Sequence, residues 1–205
     1  MQHYFKEIEN KVKVAYSIAG EARAQGLDPV SLVEIPLATT LAERVTGLIS
    51  TKYPQIKDEK IEKRIRALEE KYGLLDPAVA FTIAEEISNE LHCKFKDKLE
   101  AIDAGIRVGL AYITMGVVSS PLEGYTHFKL KKTAKGEDYF SVYFSGPIRS
   151  AGGTAAATCA MIADYLRECA GYAKYDPTEK EVKRAITENY DYHERITNLQ
   201  YLPSE

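Results

Sequence analysis

The chain has 205 residues, 45% hydrophobic and 28% charged, which suits a soluble globular protein with a sizeable core. Its net charge of −3 excludes a globally basic nucleic-acid binder, so any contact with DNA has to come from a local patch. No apolar run approaches the roughly 18 residues that a bilayer span needs, and the amphipathic start, Met1-Gln-His-Tyr-Phe-Lys-Glu, does not read as a signal peptide.

From Tyr4 to Gln25 the spacing predicts a helix. Phe5, Ile8, Val12, Ala15, Ala19 and Ala22 share one face, and Gly26 stands where it would end. Leu27 to Thr39, with Pro29 and Pro36, reads as an extended loop. Thr40-Leu-Ala-Glu43 is a capping box opening a short helix to about Ile49. Asp58 caps an amphipathic helix with Ile61, Ile65, Leu68 and Tyr72 inward and Gly73 as its stop. Its lysines and arginines are offset by glutamates, which favours a salt-bridged surface helix over a DNA-facing one. Asp76-Pro77 starts a helix that carries Ala80, Ala84, Ile87 and Leu91. Near its end, His92 and Cys93 do not make a metal pair, because neighbours on a helix point apart. Leu99, Ile102, Ile106, Leu110 and Ile113 form the inner face of a further helix ending at Gly116. These segments describe a helical bundle.

Composition changes at Ser119-Ser-Pro-Leu-Glu-Gly124. Phe128 and Leu130 alternate with Lys129 and Lys131. After the turn Ala134-Lys-Gly-Glu-Asp138, Phe140, Val142 and Phe144 alternate with Tyr139, Ser141 and Tyr143. This is a β-hairpin with one apolar face. Lys129, Lys131, Lys132 and Lys135 with Tyr139 and Tyr143 make a basic, aromatic surface that could hold phosphates and stack bases. The alternative is a solvated sheet face with lysines guarding an edge. A Gly-rich turn follows, with Arg149, Ser150, Gly152, Gly153 and Thr154. In outline it is a strand, a glycine turn and a helix N-terminus, an arrangement that can face an anion; the alternative is a tight turn packed against the sheet, with Arg149 in a structural salt bridge. It matches neither the phosphate-loop nor the dinucleotide fingerprint. The Ala-rich helix from about Ala155 to Cys169 has a small face suited to close packing under the sheet. Asp176-Pro-Thr-Glu179 signals the last helix, to about Asn198. His193 on it reads as a surface or interface histidine. Three cysteines, Cys93, Cys159 and Cys169, without a CxxC pair argue against a disulfide framework or a zinc site and fit a reducing cytoplasm.

Ser145-Gly-Pro-Ile-Arg-Ser-Ala-Gly-Gly-Thr154, Ala163-Asp-Tyr-Leu-Arg167, Tyr175-Asp-Pro-Thr-Glu-Lys-Glu181 and Leu199-Gln-Tyr-Leu-Pro203 resemble the N-terminal region of the large subunit of archaeal family D DNA polymerase. Ala22-Arg-Ala-Gln-Gly26, Val33-Glu-Ile-Pro36 and Ser119-Ser-Pro-Leu-Glu-Gly124 fit the same family in the same order. The family's subunit is several times longer, so the resemblance implies an N-terminal portion ending at Glu205. It implies a cytoplasmic parent enzyme that synthesises DNA with a divalent metal, Mg. It also implies a small subunit with proofreading exonuclease activity. The family's catalytic carboxylates and zinc-binding cysteines lie downstream, so no catalytic or metal residue is assigned here and the isolated chain is expected to be inactive.

The expected fold is α+β. A helical region, 1–118, precedes a hairpin, Gly-rich turn and two helices, 119–205, either as separate units or sharing one core. The expected roles are subunit assembly and contact with primer–template DNA. Arg149, Ser150, Gly152, Gly153 and Thr154 are the first candidates for that contact. Lys129, Lys131, Tyr139 and Tyr143 are the second. The competing reading is an architectural or self-associating module that packs on the rest of the subunit or on the small subunit and touches no DNA. A free-standing phosphate-ligand enzyme lacks both the lysine and the base it would need.

Overall fold

The computed structural model describes residues 2–27, 38–117, 119–146, 148 and 154–196. It is α+β: helices with a two-stranded antiparallel sheet. The first helix, α1, spans Gln2–Ala24. Ile8, Val12, Ala19 and Ala22 on its expected face are half-buried, but Ala15 is exposed and Phe5 is 63% exposed. Periodicity specifies which residues share a face; it does not supply a partner for that face. Most of the expected loop before the next helix lies outside the described residues.

Helix α2 spans Leu41–Ile49, with Thr40 as its cap. Thr40 Oγ1 accepts from the Glu43 amide at 3.2 Å. The Glu43 carboxylate reaches one residue further back than the expected box, accepting from both the amide and the hydroxyl of Thr39. A 3₁₀ turn, Pro54–Ile56, leads to α3, Glu59–Tyr72, capped by Asp58. Ile61, Ile65 and Leu68 are buried as expected, whereas Tyr72, the last residue of the helix, is 38% exposed. The charges of α3 pair as a surface helix should: Lys63 with Glu59, Arg64 with Glu86 and Arg66 with Glu43.

Helix α4 runs Pro77–Ser88 behind the Asp76 cap. It stops a turn earlier than Leu91 suggested. Glu90 takes a left-handed φ of 56° and the Leu91 amide folds back to the Glu86 carbonyl, closing the helix and leaving Leu91 exposed. The chain then separates His92 from Cys93. His92 Nε2 lies 2.7 Å from Glu86, and Cys93 packs against the core.

Helix α5, Lys98–Ile113, is the axis of the fold. An inner face of Leu99, Ile102, Ile106, Leu110 and Ile113 is too narrow an account of it. Every residue from Ala101 to Tyr112 is buried, while Leu99 at its start is 40% exposed. A helix buried all round needs small residues where its neighbours cross, and Gly105 and Gly109 supply them. A Cβ on Gly105 would stand 2.5 Å from the Ala84 carbonyl oxygen, and one on Gly109 3.1 Å from that of Ala80.

A π-helical turn, Ser119–Gly124, leads into strand β1, Tyr125–Lys132, which pairs antiparallel with β2, Asp138–Phe144. A register shift at Thr126 separates the pair Tyr125–Phe144 from His127–Tyr143. Phe128, Phe140, Val142 and Phe144 turn their apolar face onto the core. Helix α6, Thr154–Cys169, closes over it. Its packing stripe is Cys159, Ile162, Ala163 and Leu166, while Ala157 and Ala160 of the expected small face are exposed. Ile162 and Leu166 reach Gly109 and Gly105, so the small residues that permit this approach sit on α5.

Helix α7, Glu179–Arg195, starts two residues later than its first signal. Thr178, not Asp176, is the cap, in a full capping box with Glu181. The Asp176 carboxylate instead accepts from the Ala134 amide in the hairpin turn at 3.2 Å. His193, expected as a surface or interface histidine, is only 3% exposed.

Candidate nucleic-acid interface

The hairpin is held on the bundle by one buried polar cluster. Arg107 is 1% exposed. Its Nε donates to Asp103 Oδ2 at 2.8 Å. Its outer nitrogens donate to the carbonyls of Pro121, Tyr125 and Thr126, in the π-helical turn and the start of β1. Asp103 also accepts from Tyr53 (2.5 Å), Tyr125 (2.8 Å) and Lys52 (3.1 Å). Burial pushes the Asp103 carboxyl up, but the Arg107 guanidinium and the hydrogen bonds outweigh it and hold the group below the usual carboxylate range. Burial, reinforced by the adjacent carboxylate, raises both phenols and keeps them neutral donors. A guanidinium that spends its donors on strand carbonyls fixes where the sheet lies, because an alternative position would leave a buried charge unpaired.

On the sheet's outer face, alternation puts Lys129 and Lys131 beside the tyrosines of β2. Lys129 Nζ and Lys131 Nζ lie 5.6 and 5.5 Å from the centre of the Tyr143 ring. Lys131 hydrogen-bonds the Tyr143 hydroxyl, which lowers that phenol's pKa and raises the lysine's. His127, directly across the strand pair, stacks on Tyr143 with ring centres 4.7 Å apart and planes 9° from parallel. Tyr139 packs against Tyr175 at 4.9 Å. Lys132 is paired with Asp138 at 2.9 Å, but neither Lys129 nor Lys131 has a carboxylate partner among the described residues.

All four candidates of the second group, Lys129, Lys131, Tyr139 and Tyr143, therefore share one surface. Residue alternation did not reveal that His127 and Tyr175 extend it. His127 lies on the same alternation as Lys129 and could have been found. Tyr175 could not, because it arrives from 36 residues beyond Tyr139 by a segment whose Ala173 amide donates to the Asp138 carbonyl. Of the first group, Arg149, Ser150, Gly152 and Gly153 lie outside the described residues. Thr154 is exposed in the first turn of α6, its carbonyl taken by the Thr158 hydroxyl at 2.8 Å. Lys135 is exposed in the hairpin turn. Among the described residues no group of three or more His, Cys, Asp or Glu could hold a metal ion, and no helix is long and apolar enough to cross a membrane.

A family model described as DNA polymerase II large subunit DP2, N-terminal, matches residues 3–205. The DNA polymerase II large subunit of Nanoarchaeum equitans is 44% identical over 202 residues, 98% of this chain and 16% of that protein. Those of Methanothermobacter thermautotrophicus and Methanosarcina barkeri are 43% and 42% identical, over 99% and 100% of this chain. The chain spans under a fifth of the length of these relatives. It belongs to the DNA polymerase II large subunit family, as a counterpart of that family's N-terminal part.

Proposed function

We propose that this chain is the N-terminal module of a DNA-directed DNA polymerase large subunit, and that it contacts primer–template DNA through the outer face of its hairpin. The observation that carries the reading is the pair Lys129 and Lys131, drawn together over the Tyr143 ring without a carboxylate to neutralise them. Such a pair offers two cations to successive phosphates, with Tyr139 and Tyr175 beside it as apolar surface for sugars or bases. Arg149 and its neighbours in the Gly-rich turn remain part of the proposed contact on their chemistry. The parent enzyme synthesises DNA with a divalent metal held downstream and works with a small exonuclease subunit.

The competing architectural reading draws on a different observation: Tyr4, Phe5 and Ile18 on α1 and Tyr192 on α7 are exposed. Such surface suits packing against further protein. Fluorescence anisotropy of the chain with a labelled primer–template across a salt series separates the two. The DNA reading expects binding that weakens steeply with salt and drops on Lys129→Ala/Lys131→Ala and on Arg149→Ala, with the fold intact. A well-folded sample that binds nothing at low salt overturns it.

A further inference from the structure

Helix α2 and the loops after α3 and α5 border an open groove of about 330 Å³, lined by Leu41, Arg44, Leu74, Leu75 and Met115 together with Thr39 and Thr40. That is roughly twice the 150 Å³ of an engineered cavity that takes up benzene. Leu74 is 68% and Met115 54% exposed.

The groove is built rather than incidental. Leu75 and Met115 both hold left-handed backbone conformations, φ 63° and 54°, that side-chain-bearing residues rarely adopt. The core holds them there. The Leu75 amide donates to the buried Tyr112 hydroxyl at 3.1 Å, and the Met115 amide donates to the Tyr112 carbonyl at 3.0 Å. The Tyr112 side chain thus fixes the Leu75 rim and the backbone at the end of α5 fixes the Met115 rim, which keeps two apolar side chains facing water.

Between them stands Arg44. Its stem lies against Gly116, where a Cβ would come within 2.7 Å of Arg44 Cγ. Its guanidinium makes no ion pair or hydrogen bond with any described residue. The nearby carboxylate, Glu43, is taken by Thr39 and Arg66. An apolar trough with one unneutralised, fork-shaped cation calls for an apolar segment that carries a carboxylate. A phosphate backbone would satisfy Arg44 but leave the Leu and Met walls wet.

We propose that this groove is a docking site for a peptide segment of a protein partner, with apolar side chains on Leu41, Leu74, Leu75 and Met115 and a carboxylate on Arg44. It is independent of the hairpin face and of DNA binding.

The chain has three methionines, Met1, Met115 and Met161, so ¹³C-methyl methionine NMR reports the groove directly. The probe is an acetylated, amidated Gly-Leu-Glu-Leu-Gly peptide, titrated beside its Gln counterpart and a short DNA duplex. The expected result is a saturable shift of Met115 with Met161 unmoved. Binding should fall about tenfold for the Gln peptide, and again for the Glu peptide on Arg44→Gln, as loss of one charge-assisted contact requires. Lys129→Ala/Lys131→Ala leaves it unchanged, so this test and that of the DNA face fail separately. A Met115 signal that stays put to millimolar peptide, responds equally to the Gln peptide, or moves with the duplex instead overturns the proposal.

Discussion

Asp103 and Arg107 lie one turn apart on α5, and between them they tie the helix to two parts of the chain: Asp103 gathers Tyr53 and Lys52 from the loop after α2, and Arg107 gathers three carbonyls from the turn and strand that begin the hairpin. Removing Asp103 leaves Arg107 buried without a counter-charge, and removing Arg107 leaves Asp103 with Lys52 as its one remaining cation and three strand and turn carbonyls without their donor. Arg107→Met is expected to lower unfolding free energy by about 3–5 kcal/mol in urea titration, and Asp103→Leu by a similar amount. The double variant should cost less than the sum, because each single change already breaks the shared contact and weakens the pairing of what remains. Strict additivity would mean the two groups do not act as a pair.

The same pair sets a pH dependence. Asp103 has a folded pKa below its unfolded value, so its contribution to stability is fully present above the unfolded pKa of about 4 and is lost as pH falls through the folded value. Thermal unfolding followed from pH 6 down to pH 2 should show stability falling below about pH 4. Asp103→Asn should flatten that fall. An unchanged slope would remove Asp103 from the account.

Two glycines on helices should respond oppositely to alanine. Gly105→Ala drives a methyl against the Ala84 carbonyl oxygen, backbone that cannot swing aside, and should cost about 1–3 kcal/mol. Gly20→Ala on α1 meets nothing within 4 Å and should be neutral or stabilise by up to about 1 kcal/mol through helix propensity. Melting curves of the two variants decide it.

The three thiols should separate in a timed reaction with a thiol reagent under native conditions. Cys169 is exposed and should react first. Cys93 is half-buried, its pKa pushed up by burial to about 11, and should follow. Cys159, buried beneath the sheet and pushed up to about 12, should react only as the chain unfolds.

On the hairpin face, Lys129→Ala/Lys131→Ala should lower the slope of log affinity for DNA against log salt by about 2, roughly one per lost phosphate contact, without changing the melting temperature. A uniform loss of affinity at constant slope would point to a fold effect instead.

Most of the fold's parts were legible in the sequence because they depend on neighbours in the chain. Thr40, Asp58 and Asp76 mark the starts of α2, α3 and α4 with side chains that reach the next amides, and the alternation of Lys129 to Lys131 with Tyr139 to Tyr143 gave the hairpin and its two faces. The family, too, was legible, from motifs in register along the chain. What the sequence could not decide was where faces meet. Periodicity gave α1 an apolar stripe, yet Phe5 faces water. It gave α5 one inner face, yet the helix is buried all round, with a carboxylate and a guanidinium inside. Asp176 looked like a cap and became a brace for the hairpin turn; His193, a surface or interface histidine by sequence, is buried. Tyr175 on the hairpin face, the Arg107 clamp and the Arg44 groove each join residues far apart in sequence. Local rules act over one helical turn or one strand pair, whereas burial, charge pairing and close approach at Gly105 are decided by which element happens to lie opposite, and only the tertiary structure supplies that.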